Sequence, residues 1–383
     1  MTVTSARGFR ASGVSAGIKE SGGPDLALVV NQGPSQAAAG VFTSNRVQAA
    51  PVRWSRQALA DGRLSAVVLN SGGANACTGP TGEGDARLMA QRAARAVGAG
   101  PDEVAVCSTG LIGVPLPMDR VVAGIDAAAE ALSPDGGEAA AVAIKTTDSV
   151  RKTAVVSRSG WTVGGMAKGA GMLAPGLATM LVVLTTDADA SAPLLDSALR
   201  AAVATTFDRV DSDGCMSTND TVLLLASGAS GVVPQAAEFT EAVHAVCLDL
   251  AGQLVSDAEG ASKEIEVAVV GAASEADAVT VGRSVARNNL LKCALHGEDP
   301  NWGRVLSAIG TTDAVFDPDR LDVAINGVWV CRNGAAAEPR EEADLSTRRI
   351  TVTVDLRSGD ASAVIWTNDL TAEYVHENSA YSS

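Results

Sequence analysis

An α/β fold is what this sequence predicts, and three observations carry it. Short, fully apolar runs at residues 66–69, 104–106 and 180–184 read as buried strands. Longer stretches with apolar residues three or four apart read as helices. Ile265, Val267 and Val269 alternate with polar neighbours, as do Ile350, Val352 and Val354, which is the period of a half-buried strand. Strands and helices in alternation belong to the α/β and α+β classes.

Taken in order, residues 85–97 are rich in Ala and Arg and stop at Gly98, a residue suited to ending a helix. Lys168 to Gly176 reads as a glycine-rich, proline-ended loop that runs into the apolar run 180–184, with Thr179 at the junction. Residues 193–207 read as a helix with Ser191 near its N-cap. Phe239, Val243, Val246, Leu250 and Leu254 recur at helical spacing and predict a long amphipathic helix. No internal repeat or low-complexity linker marks a domain boundary. The polar ending, residues 374–383, reads by composition as a frayed tail.

The chain has 383 residues, enough for one large domain or two medium ones. Hydrophobic residues make up 46% and aromatics 3%, so Ala, Val, Leu and Gly must fill the interior. The net charge of −15 argues against nucleic acid and anionic membranes as partners, since both call for basic surfaces. Six scattered cysteines without Cys-x-x-Cys spacing read as free thiols of a reducing compartment, which predicts a cytoplasmic protein. The first twenty residues lack the apolar core of a signal peptide, and no apolar run reaches the ~18 residues of a membrane span.

Several residues carry candidate chemistry. A threonine entering a strand is ordinary, because β-branched residues favour strands. Thr179 also follows the small Ala178 on a glycine-rich loop that contains Lys168. Its hydroxyl is placed to attack the Ala178 carbonyl, and cleavage would free an α-amine able to serve as base for that same hydroxyl. Ser108-Thr109-Gly110 follows a predicted strand, where a plain turn and an oxyanion hole look alike. Thr147 lies in a Thr-Thr-Asp stretch that either meets a substrate or anchors a turn through Asp148. Glu259 follows the long helix, where the dipole disfavours an acid. The polar loop from His296 to Arg304 is expected to be tied by hydrogen bonds and packed under Trp302. With three histidines and no His-x-x-x-His pair in the chain, no metal is expected there. Glycine pairs near residues 13–17 and 164–165 match no nucleotide-binding fingerprint.

Together these segments resemble the ornithine acetyltransferase family. The resemblance rests on the run from Lys168 through Ala178-Thr179 to Leu181, on Ser108-Thr109-Gly110, on Thr146-Thr147-Asp148 and on Asp257-Ala258-Glu259-Gly260-Ala261. It extends through His296-Gly-Glu-Asp-Pro-Asn-Trp-Gly-Arg304 to the ending from Tyr374 to Ser383. Six motifs in the family's order span the chain. Two departures occur: Pro-Gly-Leu precedes Ala178 where many members have Pro-Asn-Met or Pro-Asp-Met, and the chain ends in Ser-Ser where many end in Thr-Thr.

The resemblance implies a layered α/β sandwich, distantly like the N-terminal-nucleophile hydrolases. It implies self-cleavage between Ala178 and Thr179 into an α chain (residues 1–178) and a β chain (residues 179–383), associated as an α2β2 heterotetramer. It implies an arginine-biosynthesis enzyme that moves acetyl from N2-acetyl-L-ornithine to L-glutamate through an acetyl-threonine, with no cofactor. Some members also acetylate glutamate from acetyl-CoA. Carried onto this chain, Thr179 is the nucleophile, and Thr109 and Gly110 hold the oxyanion. Thr147, Lys168, Thr179, Glu259, Asn378 and Ser383 contact the substrate. Two other readings stay open from sequence: a self-processing aminopeptidase or amidase on a related scaffold, and a non-catalytic amino-acid-binding protein.

Overall fold

The computed structural model describes residues 2–172 and 180–380. These form two compact units. The first takes the chain up to Asp208 together with Cys215–Asp257; the second takes Arg209–Gly214 and the chain from Ala258 on.

The first unit contains two sheets. One has the order Phe9–Val14, Leu26–Asn31, Ala66–Ser71, Val104–Thr109, antiparallel except for its last pair. The other has the order Ala38–Phe42, Thr221–Ala226, Leu181–Thr186, Trp161–Lys168, Lys152–Arg158, with Leu181–Thr186 and Thr221–Ala226 parallel. Strand periodicity sorts the side chains between faces. Ala27, Val29, Val67 and Leu69 of the first sheet share a core with Met166, Leu181, Val183, Leu223 and Leu225 of the second. Leu26, Leu28, Val30 and Val68 point the other way. They pack with Met89 and Ala93 of helix Gly79–Val97 and with Val121 and Ile125 of helix Met118–Glu130. Helices Ala192–Thr205 and Ala236–Ser256 cover the outer face of the second sheet. The second of these comes close at a glycine: a Cβ at Gly165 would lie 3.1 Å from both Val246 and Leu250. The unit is thus a four-layer helix–sheet–sheet–helix sandwich, the α/β class that the apolar pattern predicts.

Element boundaries differ from the predicted ones for local reasons. The first long helix, predicted from residue 85, starts at Gly79, with Pro80 suited to a first turn. Gly98 ends it with φ +75°, as expected. The strand predicted at 180–184 runs over Leu181–Thr186. Its polar end stays buried because Thr185 donates to the Val3 carbonyl (2.6 Å) and Thr186 to that of Thr162 (2.9 Å).

The second unit is a six-stranded sheet with the order Ala335–Ala336, Val328–Arg332, Asp322–Ile325, Arg349–Asp355, Glu264–Ala272, Ala361–Asn368. The alternating Ile265, Val267, Val269 and Ile350, Val352, Val354 form its core face against Val281, Val285, Leu291, Leu295 and Ile309. The described part of the ending is not frayed: Ala372–Ala380 is a helix. Thr371 starts it by accepting the Tyr374 N–H (2.9 Å) and anchors it by donating to the Gly260 carbonyl (2.7 Å). Composition alone hides this helix because none of its residues is buried. Among the described residues no helix is long and apolar enough to cross a membrane.

Candidate active site

In the first unit strand ends bring Thr109, Gly110 and Lys168 together. Val104–Thr109 runs parallel to Ala66–Ser71, with Thr109 opposite Ser71, and Gly110 follows at φ +126°. A Cβ at Gly110 would lie 2.6 Å from the Gly73 nitrogen, so only glycine lets the two loops touch. Asn70 ties this corner by accepting from the Ser108 hydroxyl (2.6 Å) and donating to the Gly73 carbonyl (2.9 Å).

Lys168 ends strand Trp161–Lys168, directly across from Leu181. Its ammonium is buried, and a buried charge needs partners. It donates to the Thr109 hydroxyl oxygen (3.2 Å) and the Thr146 hydroxyl oxygen (2.8 Å), and lies 3.9 Å from Asp148. Asp148 is the hub beneath it. It accepts from Lys152 (2.7 Å), from the Gly169 N–H (2.6 Å) and from the Thr146 N–H (3.0 Å). Burial works to raise the Asp148 pKa, but Lys168, Lys152 and the Gly169 N–H outweigh it and hold the carboxyl down at about 2. Thr147 sits half-buried in the turn that Asp148 closes.

Glu259 and Asn378 meet in the second unit, where the Asn378 amide donates to the Glu259 carboxylate at 3.0 Å. The long helix stops at Ser256, so Glu259 lies beyond its dipole. The acid at the helix end is Asp257, and it is paired with Lys152. His296 Nδ1 lies 2.9 Å from Asp369, and Trp302 opens helix Trp302–Ile309 and packs on the core. Among the described residues no three His, Cys, Asp or Glu side chains gather as a metal site. Ala178, Thr179 and Ser383 lie outside the described residues.

A family model described as the ArgJ family matches residues 10–383. The chain belongs to the ArgJ family. It is 70% identical to the arginine biosynthesis bifunctional protein ArgJ of Streptomyces coelicolor and 62% identical to that of Thermobifida fusca, in each case over the full length of both chains. The crystal structure of ornithine acetyltransferase from Mycobacterium tuberculosis, complexed with ornithine, is 55% identical over 47% of this chain and 96% of its own, with a TM-score of 0.45.

Of the residues predicted for the site, the structure gathers Thr109, Gly110, Thr147 and Lys168 in one unit and pairs Glu259 with Asn378 in the other. Sequence reasoning missed Asn70, Asn219 and Asp220, all buried polar groups at strand ends. The faint signal for the last two is an Asn-Asp-Thr run immediately before the apolar strand 222–226.

Proposed function

We propose that Thr179 carries the acetyl group in this chain and that Thr109, Gly110 and Lys168 serve it. The chain is an acetyltransferase of arginine biosynthesis, and its full-length relatives bear the name bifunctional ArgJ. Self-cleavage at Ala178–Thr179 frees an α-amine, which takes the proton of the Thr179 hydroxyl as it attacks the acetyl carbonyl of N2-acetyl-L-ornithine. The oxyanion is held by the Gly110 N–H and the Thr109 hydroxyl. The intermediate collapses to acetyl-threonine and ornithine; the α-amine of L-glutamate then attacks the ester and leaves as N-acetylglutamate.

One observation carries the oxyanion assignment: the buried Lys168 ammonium donates to the Thr109 oxygen. A hydroxyl that accepts from a cation is polarised and keeps its own proton to donate. Thr147, Glu259, Asn378 and Ser383 are assigned to substrate by the family resemblance. The route needs no cofactor, because acetyl travels on the protein. Acetyl-CoA is the second donor this reading allows. The cleaved chains are taken to assemble as α2β2 in the cytoplasm.

The test incubates the enzyme with acetylornithine alone and measures the mass of the Thr179 peptide, then adds glutamate. Acetylated Thr179 that discharges to N-acetylglutamate is expected. Release of acetate at the same rate with or without glutamate would make the protein an amidase instead.

A further inference from the structure

Two adjacent side chains, Asn219 and Asp220, reach from one turn to the two halves of the chemistry. Both are buried. Asn219 donates through its amide to the carbonyls of Ser108 (2.8 Å) and Ala74 (2.6 Å), which belong to the oxyanion corner. Asp220 Oδ1 accepts the N–H of Met180 at 3.1 Å. The next residue, Thr221, donates its N–H to the Met180 carbonyl (3.2 Å), so Met180 is held on both sides of its Cα. Met180 is the residue peptide-bonded to Thr179.

A buried carboxyl is costly to keep. Burial pushes its pKa well above the usual carboxylate range, against the Met180 N–H, the Ser217 hydroxyl and the Lys168 charge. Holding Met180 is what the acid does here. An apolar residue of similar size would fill the space at less cost, but it would leave the Met180 N–H without an acceptor.

We propose that Asn219 and Asp220 form the gauge of the active site: Asp220 is a positioning residue that fixes Met180, the residue following the nucleophile, while Asn219 fixes the oxyanion loop, so that one dipeptide ties the two together. The inference rests on Thr179 being the nucleophile. It requires that self-cleavage and acetyl transfer share one sensitivity, since both pass through a tetrahedral oxyanion.

Asp220→Ala and Asp220→Asn in the full chain test this. The alanine variant loses the acceptor; the asparagine variant keeps a carbonyl oxygen of the same reach and cannot ionise. With Asp220→Ala, cleavage slows and the kcat of the cleaved fraction falls by about 10–100-fold, the size of a small misplacement of reacting groups. KM for both substrates stays within about twofold. Asp220→Asn restores both rates to within a few-fold of wild type. If the alanine variant does not fold, Asn219→Ala takes its place, with the same loss of kcat at constant KM. Wild-type cleavage and kcat in a folded alanine variant would overturn the proposal. So would a folded asparagine variant as slow as alanine, which would make the ionisable proton, and not the position, the essential property. Thr179→Ala runs alongside: cleavage in that control would remove the nucleophile assignment itself and is read separately from the Asp220 result.

Discussion

Lys168 and Thr109 make a pair in which a charge is spent on a hydroxyl. The ammonium is buried, and its 3.2 Å contact is with an oxygen that has a proton of its own to give. Thr109→Ala should therefore lower kcat by about 10²–10³ with a smaller change in KM, the size of a lost oxyanion donor. Steady-state kinetics decides this, and an unchanged kcat would return the loop to a plain turn. Asp148 makes a different prediction, in acid. Its carboxyl is held at about 2 against an ordinary 3.8, so it is stabilised in the ionised form. That contribution is fully present above pH 3.8 and is lost as the pH falls through about 2. It is worth on the order of 2 kcal/mol, and about half is gone by pH 3. In urea unfolding, the stability gap between wild type and Asp148→Asn should narrow from pH 5 to pH 3. A constant gap would show that the Asp148 charge is not what its partners stabilise.

Secondary elements were legible where they bury an unbroken apolar face. The alternation at residues 265–269 and 350–354 sits on paired strands, and the helical spacing from Phe239 to Leu254 lies within helix Ala236–Ser256. They were hidden where glycine, proline or polarity stood at an end: the first turns of Gly79–Val97, and the whole of Ala372–Ala380. The latter helix carries the prediction at this scale. Its side chains are not buried, and Asn378 reaches Glu259 from its last turns. Deleting residues 377–383 should change unfolding stability by no more than about 0.5 kcal/mol, as surface changes do. Self-cleavage should persist. KM for acetylornithine should rise at least about tenfold, since each lost polar contact to substrate is worth roughly 1–3 kcal/mol. A truncated enzyme with wild-type KM for both substrates would remove the tail from the site.

For the molecule as a whole, the proposed cut and the compact units do not follow the same line. The bond between Ala178 and Thr179 lies in the connection between antiparallel neighbours, Trp161–Lys168 and Leu181–Thr186. Strands from before the cut flank both sides of the pair Leu181–Thr186 and Thr221–Ala226, which comes after it. Purified wild type should thus run as one species under native conditions and as two chains on a denaturing gel. Thr179→Ala should give one uncut chain without transferase activity; normal cleavage in that variant would sink the nucleophile assignment. The segments around Thr109 and Lys168, which the structure brings together, could be picked out from the sequence because each is a local pattern. The partners that hold them could not: Asn219 meets Ser108 across 111 residues, and Asp220 meets Met180 across 40. Spacing in the chain says nothing of such meetings. The interleaved sheet has a further consequence for how the enzyme is made. As a single translation product, the two pieces meet by closing a loop, at an effective concentration independent of expression level. Encoded as separate polypeptides, they would meet by mass action. Each would wait with unpaired strand edges, which invite association with the wrong neighbour. Cutting after folding, as proposed, would deliver the free threonine amine and spare the chain that wait.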